Sequence, residues 1–172
     1  EVGGRPMLDH ALDRLQEAGV TQVVVNTHWL PEKIEDHLRD RSAPETRISR
    51  EDELLETGGG IAKALPMFGE DAFYAANADI VWRDGATPAL LRLARTWDDE
   101  RMDVLLMLTA TVRATGYDGG GDFLMDPLGK LTRRLERQIA PYVFTGVQIL
   151  HPRLFKDVPS GPFSMNLLYD RA

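Results

Sequence analysis

An amide and a carboxylate follow a short apolar run in the first half of the chain. Asn77-Ala78-Asp79 comes directly after Phe73-Tyr74-Ala75-Ala76, whose composition is typical of a buried strand. Open α/β sheets bind ligands in the crevice beyond the carboxyl ends of their strands, which is where Asp79 would lie. A carboxylate there suits Mg²⁺, which proteins hold with one or two carboxylates while phosphate oxygens complete the shell. An Asx turn would use the same residues, and the spacing alone favours neither interpretation.

A glycine run offers a second candidate site. Thr57-Gly58-Gly59-Gly60 precedes the helical sequence Ile61-Ala62-Lys63-Ala64-Leu65. Glycines let a ligand approach the backbone closely, and the free amide groups at a helix start can bind an anion or hydrogen-bond a base. The run is neither a P-loop nor a dinucleotide-binding fingerprint. Taken by itself, it favours a plain turn from loop to helix over a binding site.

Two later segments place a glycine beside hydroxyl-bearing residues. They are Ala114-Thr115-Gly116-Tyr117 and Tyr142-Val143-Phe144-Thr145-Gly146. A sugar ring needs close backbone contact and hydroxyl partners, so both are candidate sugar contacts. Gly146 inside a strand pattern indicates a bulge or a ligand close to the main chain, although an ordinary bend of the sheet would leave the same pattern.

The elements that position these residues alternate between the helical and the strand period. Apolar residues at helical spacing predict helices over 7–18, 31–38, 60–67 and 87–96. Short runs rich in β-branched and apolar residues predict strands over 22–26, 46–49, 73–77, 104–110 and 142–150. Segments 123–125 and 130–133 flank the turn Asp126-Pro127-Leu128-Gly129 as a candidate hairpin, and a short helix is expected near the end of the chain.

This alternation predicts an α/β fold: a Rossmann-like, open, mostly parallel sheet with helices on both faces and a small β insertion. No internal repeat, low-complexity tract or linker divides the chain, so residues 1–172 are expected to form a single domain.

Composition excludes several classes of function. The formal charge of −7 argues against a protein that wraps nucleic acid or lies on anionic lipid. Without cysteine there is no disulfide framework and no thiolate nucleophile or metal ligand. No apolar stretch has the length of a membrane span. A reducing cytoplasm is the expected location, and nothing in the sequence specifies an oligomeric state.

Several short motifs, in this order, resemble the sugar-1-phosphate nucleotidyltransferases. The similarity runs nearly from end to end, and the order and spacing of the motifs are more specific than any one of them. The segments that carry it are Gly3-Gly4-Arg5-Pro6-Met7-Leu8-Asp9-His10-Ala11-Leu12, Val25-Asn26-Thr27-His28-Trp29-Leu30, Glu51-Asp52-Glu53-Leu54-Leu55-Glu56-Thr57-Gly58-Gly59-Gly60-Ile61, Ala76-Asn77-Ala78-Asp79-Ile80, Ala114-Thr115-Gly116-Tyr117-Asp118, Ala140-Pro141-Tyr142-Val143-Phe144-Thr145-Gly146 and Pro162-Phe163-Ser164-Met165-Asn166.

The resemblance implies that a sugar 1-phosphate attacks the α-phosphorus of a nucleoside triphosphate and releases pyrophosphate, with Mg²⁺ as cofactor. It implies that Asp79 binds the metal and that Asn77 lies near the ribose or a phosphate. Thr57, Gly58 and Gly59 would face the nucleotide base, and Glu51 would contact the edge of that base.

The resemblance also implies a sugar site. Gly116, Glu136, Thr145 and Gly146 would line it, with the Glu136 carboxylate on the sugar hydroxyls and the Gly146 amide on an acyl or hydroxyl oxygen. Arg137 would meet the sugar phosphate.

Substrate identity is expected from the bacterial branch that the motifs resemble most. That branch implies UTP and N-acetylmuramate 1-phosphate, in the recycling of cell-wall sugars; GTP with mannose 1-phosphate is the alternative. Family members also carry a glycine-rich triphosphate loop with an arginine and a lysine before the first of these motifs, and a second metal-binding aspartate after the last. This chain contains neither. A fragment lacking both is expected to turn over very slowly, and this gap keeps open a third possibility, a non-catalytic domain that binds nucleotide sugars.

Overall fold

The computed structural model describes all 172 residues, Glu1–Ala172. Its α-helices are α1 (Met7–Glu17), α2 (Pro31–Leu38), α3 (Glu56–Ala64), α4 (Ala89–Thr96) and α5 (Asn166–Tyr169). Its strands are β1 (Gln22–Thr27), β2 (Glu45–Arg50), β3 (Phe73–Ala76), β4 (Val104–Ala110), β5 (Phe123–Met125), β6 (Leu131–Arg133) and β7 (Tyr142–Leu150). None of the helices combines the length and the apolar character that crossing a lipid bilayer requires.

Helix α1 shows how the local sequence sets the ends and the buried face of an element. Pro6 precedes the first helical residue, and Gly19 follows the helix with a φ of 88° that glycine adopts without strain. The side chains of Ala11, Leu12 and Leu15 are buried at helical spacing.

Helix α3 differs from the prediction because it begins at Glu56 rather than at Gly60. Glycine disfavours a helix by about 1 kcal/mol relative to alanine, so a run of glycines predicts a loop. In the structure, Gly58, Gly59 and Gly60 are all buried within the helix. Tertiary contacts therefore override the local preference here.

The strands form two sheets. Strands β1 and β2 pair in parallel, from Gln22 opposite Glu45 to Thr27 opposite Arg50. The other five strands form a second sheet, in which β7 pairs with β3, β4 and β5, and β5 pairs with β6. The α/β class and the β insertion, the β5–β6 hairpin, are confirmed.

The pairing in the second sheet corrects one detail of the predicted, mostly parallel sheet. Strand β7 lies between β3 and β4 and runs antiparallel to both. The cause is the connection from β4 to β7, which carries the β5–β6 hairpin and no α-helix. The Thr111 amide donates to the Pro141 carbonyl (2.9 Å), so β7 starts where β4 ends and must run back. A parallel return would need a crossover connection, usually a helix.

A cavity of about 790 Å³ separates β1 from β3. Strand β1 pairs only with β2 and β3 pairs only with β7, so neither strand is hydrogen-bonded across this gap. Most of the lining is apolar and comes from α1, β1, α3 and β3, whereas the polar lining residues lie mainly near the carboxyl ends of β1 and β3.

The core lies on the two faces of β7, because its side chains alternate between them. Val147 and Ile149 pack with Leu15, Leu90 and Leu93 on one face. On the other face lies a cluster, here called the C-terminal core, made of Leu150, Leu154, Phe155, Phe163, Met165 and Leu168.

Tyr169 closes this second face with a buried hydrogen bond. Its hydroxyl donates to the Gln148 side-chain carbonyl at 2.8 Å, and Gln148 is 2% exposed. Burial raises the pKa of Tyr169 well above its ordinary value. The neutral phenol is therefore the form that the fold stabilises.

Replacing Tyr169 by Phe is expected to lower the free energy of unfolding by about 1 to 2 kcal/mol, because the buried Gln148 oxygen loses its donor. Urea unfolding at neutral pH measures the change. Tyr142→Phe is the control, because Tyr142 is half-buried in β7 and its hydroxyl makes no hydrogen bond. The free energy of unfolding of this variant should stay within about 0.5 kcal/mol of wild type. Equal losses in the two variants would contradict the assignment.

Candidate active site

The polar mouth of the cavity brings together residues that are far apart in sequence. Glu51, Thr57 and Asn77 all line it, as does Thr27 at the end of β1. The Glu51 amide donates to the Thr27 carbonyl at 2.7 Å, which holds the chain after β2 against the end of β1. Thr27 is 3% exposed and its hydroxyl has no hydrogen-bond partner. This mouth lies at the strand ends, where open α/β sheets bind their ligands.

The Glu51 carboxylate is held from two sides. The Asn26 side-chain amide donates to one carboxylate oxygen at 3.1 Å, and the Leu55 backbone amide donates to the other at 3.2 Å. The Glu51 backbone carbonyl also lies 3.0 Å from His28 Nδ1. Glu51 thus fixes the loop between β2 and α3 while its side chain borders the cavity.

The glycine run Gly58-Gly59-Gly60 makes close contacts with distant segments that its sequence did not indicate. The amide groups of Gly58 and Gly59 both donate to the Phe163 carbonyl, at 2.9 and 3.2 Å. On Gly60, a β-carbon would lie 2.6 Å from both the Asn26 amide nitrogen and the Glu51 carboxylate. Other parts of the protein therefore occupy the space that the missing side chains leave open.

Asp79 lies in a turn directly after β3 and is exposed. It forms no ion pair or hydrogen bond, so its carboxylate is available to a ligand. No group of three or more acidic or histidine side chains is assembled as a metal site. Asp79 therefore offers one carboxylate to a metal.

The end of β3 is joined to a bulge in β7. The Asn77 amide donates to the Gly146 carbonyl at 2.8 Å. Gly146 has a φ of 75° and lies where the register between β4 and β7 shifts, so a bulge, one of the interpretations of this glycine, is present. The Thr145 hydroxyl donates to the Met107 carbonyl at 2.8 Å, which fixes the other side of the bulge. Gly146 thus lies beside Asn77, and Thr145 precedes it in the bulge.

The remaining predicted residues lie around the β insertion. Glu136 and Arg137 are exposed on the turn between β6 and β7, and Arg137 has a left-handed φ of 68°. Gly116 is exposed, with a φ of 76° and open space around it. None of the three lines the cavity at the ends of β1 and β3.

Some residues of the site were not predicted from sequence. Asn26 ends the apolar run of β1 just as Asn77 follows β3, so a polar residue at a strand end was an available signal. Phe163 carries no such signal, because its contacts with α3 join residues about a hundred positions apart.

Comparison with known proteins identifies the family. Residues 1–152 match the family described as MobA-like NTP transferase domain. N-acetylmuramate alpha-1-phosphate uridylyltransferase from Caulobacter vibrioides is 42% identical over 176 residues, covering 99% of this chain and 73% of that protein. The enzyme of the same name from Neisseria meningitidis is 32% identical over 171 residues, covering 94% of this chain and 68% of that protein.

A solved structure shows the same fold. HddC from Yersinia pseudotuberculosis, complexed with GMP-PN, superposes with a TM-score of 0.75 at 21% identity, covering 97% of this chain and 72% of that one. The family model matches most of the chain, and two relatives are more than 30% identical to it. Both findings indicate a nucleotide-binding enzyme, for which the polar site at the strand ends is the expected place. The chain belongs to the MobA-like NTP transferase family and, within it, to the sugar-1-phosphate nucleotidyltransferases.

Proposed function

We propose that this protein transfers the uridylyl group of UTP to N-acetylmuramate 1-phosphate. The observation that carries the proposal is the 42% identity, over 99% of the chain, to the uridylyltransferase from Caulobacter vibrioides. The polar cavity mouth and the exposed Asp79 support the proposal, because a nucleotide in the mouth would lie next to a metal bound by Asp79. We place the reaction in the cytoplasm, in the recycling of cell-wall sugars.

The reaction needs little covalent help from the protein. An oxygen of the sugar phosphate forms a bond to the α-phosphorus of UTP, the bond from that phosphorus to the oxygen bridging the β-phosphate breaks, and pyrophosphate leaves with the electron pair. A phosphate monoester has its second pKa at about 6, so the nucleophile is mostly deprotonated at pH 7 and needs no general base. Positioning and charge stabilisation remain as the tasks of the protein.

On the nucleotide side, the cavity mouth would hold the base and ribose. Thr57, which lines the cavity, would lie against the base, with Glu51 at its edge. Gly58 and Gly59, whose amides bind the Phe163 carbonyl, would bring this start of the helix close to the base. Asn77 would lie near the ribose or a phosphate, because it lines the same cavity.

On the sugar side, the bulge of β7 would contact the ring. Gly146 lies next to Asn77, and therefore close to the proposed nucleotide position, and Thr145 precedes it in the bulge. Gly116, Glu136 and Arg137 would complete the sugar site from the β insertion, with Arg137 on the sugar phosphate.

The residues present fit Mg²⁺ as the cofactor. Asp79 would hold it, because this carboxylate is exposed and unpaired, and because Mg²⁺ in phosphate-binding sites takes one or two protein carboxylates together with substrate oxygens. When bound, the ion neutralises charge on the phosphates.

A substrate panel tests the proposal. Pyrophosphate release by the full-length protein is measured with each of the four ribonucleoside triphosphates, combined with N-acetylmuramate 1-phosphate, N-acetylglucosamine 1-phosphate, glucose 1-phosphate or mannose 1-phosphate. We expect kcat/KM to be highest for UTP with N-acetylmuramate 1-phosphate, by about 10-fold or more over the next pair, because a polar site discriminates strongly against substrates that leave its groups unpaired. A preference for GTP with mannose 1-phosphate would establish the guanylyltransferase alternative.

A further inference from the structure

Residues 161–163, here called the 161–163 clamp, are docked on the first turn of α3. The Phe163 carbonyl accepts hydrogen bonds from the amides of Gly58 and Gly59. In the other direction, the Phe163 amide donates to the Leu55 carbonyl at 3.2 Å. Through its backbone amide and carbonyl, Phe163 therefore binds Leu55, just before α3, and two amides within the first turn of the helix.

The clamp also packs against α3 so closely that only glycine fits beneath it. A β-carbon on Gly58 would lie 2.5 Å from the Phe163 ring and 2.7 Å from the Phe163 carbonyl oxygen. On Gly59 it would lie 2.5 Å from the Gly161 carbonyl oxygen. These distances are shorter than van der Waals contact, so the glycines are needed for the docking of the clamp.

Phe163 links this docking to the rigid interior. It is 7% exposed and belongs to the C-terminal core, with Leu150 and Phe155 among its members. Ile61 and Ala62 of α3 pack against the same cluster. Close-packed interiors resist displacement, so the ring and the carbonyl of Phe163 have fixed positions.

The clamp leaves the first two residues of α3, at its N-terminal end, open toward the cavity. The backbone amides of Glu56 and Thr57 make no hydrogen bond within the protein, and both residues line the cavity with Asn77. Glu56 has a left-handed φ of 56°, so the chain turns sharply just before the clamped glycines. The orientation of these two peptide groups therefore depends on the clamp.

We propose that Phe163 is a positioning residue for nucleotide binding. It touches no substrate; its ring and carbonyl hold the first turn of α3 in the orientation that the nucleotide requires. The inference rests on the proposed function and extends it, because it assigns control of the nucleotide site to a residue of the C-terminal core.

The test compares Phe163→Leu with Phe155→Leu in the full-length protein. Both substitutions remove a buried ring from the same cluster, but only Phe163 contacts the first turn of α3. We expect Phe163→Leu to raise both the KM for UTP and the dissociation constant of UTP, measured by calorimetry, by about tenfold, with the KM for the sugar phosphate within about twofold of wild type. Phe155→Leu should lower thermal stability by a similar amount and leave both UTP constants unchanged.

Hydrogen exchange at Gly58 and Gly59 supplies a readout that does not depend on turnover. Their amides should exchange faster in Phe163→Leu than in Phe155→Leu, because their acceptor is displaced. Phe163→Met, which keeps more of the buried volume, replaces the leucine variant if that variant does not fold. Equal UTP constants or equal exchange in the two variants would overturn the inference. Absence of turnover and UTP binding in the wild type would instead refute the proposed function, and the exchange comparison would still decide whether the clamp holds α3.

Discussion

Replacing Asp79 by Asn is expected to lower kcat/KM by about a thousandfold without changing the thermal stability of the protein. The large effect follows from the loss of the charge that would hold Mg²⁺ beside the phosphates, because asparagine offers only a neutral oxygen. Stability should not change, because Asp79 is exposed and forms no ion pair or hydrogen bond. Initial rates of pyrophosphate release over a range of Mg²⁺ concentrations, together with the melting temperature, measure both effects.

Asp71→Asn is the matched control for this experiment. Asp71 is also an exposed aspartate beside β3, but it precedes the strand instead of following it. Its substitution removes the same charge at the opposite end of the strand, so activity should stay within about twofold of wild type, as is usual for surface changes. Full activity in Asp79→Asn, or an equal loss in the two variants, would remove Asp79 from the role of metal ligand.

Replacing Gly146 by Ala is expected to lower kcat/KM by about a hundredfold and the free energy of unfolding by about 2 kcal/mol. Gly146 has a φ of 75°, and its missing β-carbon would lie 2.6 Å from Ile80 Cδ1 and 3.0 Å from Asn77 Cβ. Alanine would therefore strain the backbone and push the turn that carries Asn77 and Asp79 away from β7. Steady-state kinetics and urea unfolding of the variant measure the two effects.

Gly129→Ala separates backbone strain from displacement of the site. Gly129 has a φ of 87° in the turn of the β5–β6 hairpin, and no atom lies within 4 Å of the position its β-carbon would take. This variant should lose about 1 kcal/mol of stability from strain alone and keep its activity. If Gly146→Ala also keeps its activity, the bulge of β7 does not position the turn after β3.

Much of the fold was predictable because its signals are local. The heptapeptide 104–110 is mostly apolar, and 22–26 contains three consecutive valines; both segments form strands with little change of bounds. The helix with Leu12 and Leu15 on its inner face was predicted from spacing alone. Asn77 and Asp79 were candidate site residues because they follow an apolar strand, at the edge of the sheet where ligands bind, although an Asx turn explained the same residues equally well.

Two features were not predictable, and both depend on contacts between distant segments. The run of glycines predicts a loop by local preference, yet it forms the first turn of α3 because the Phe163 carbonyl accepts two of its amides. Strand β7 has the apolar character of any buried strand, and its antiparallel direction follows from the hairpin that precedes it. In both cases, the residues of the segment do not show which other segment it will contact.

By itself, the sequence determined the class of fold, most of the helices and strands, and the polar residues at the strand ends, since periodicity and residue type act over a few neighbouring positions. Only the tertiary structure decided how these residues meet. It joined Asn77, which follows β3, to Gly146 of β7. It also held the Glu51 carboxylate between Asn26 and Leu55, and placed the 161–163 clamp on the glycines of α3. The physical reason is that hydrogen bonds and close packing between distant segments outweigh local preferences of about 1 kcal/mol per residue, and such contacts exist only once the chain is folded.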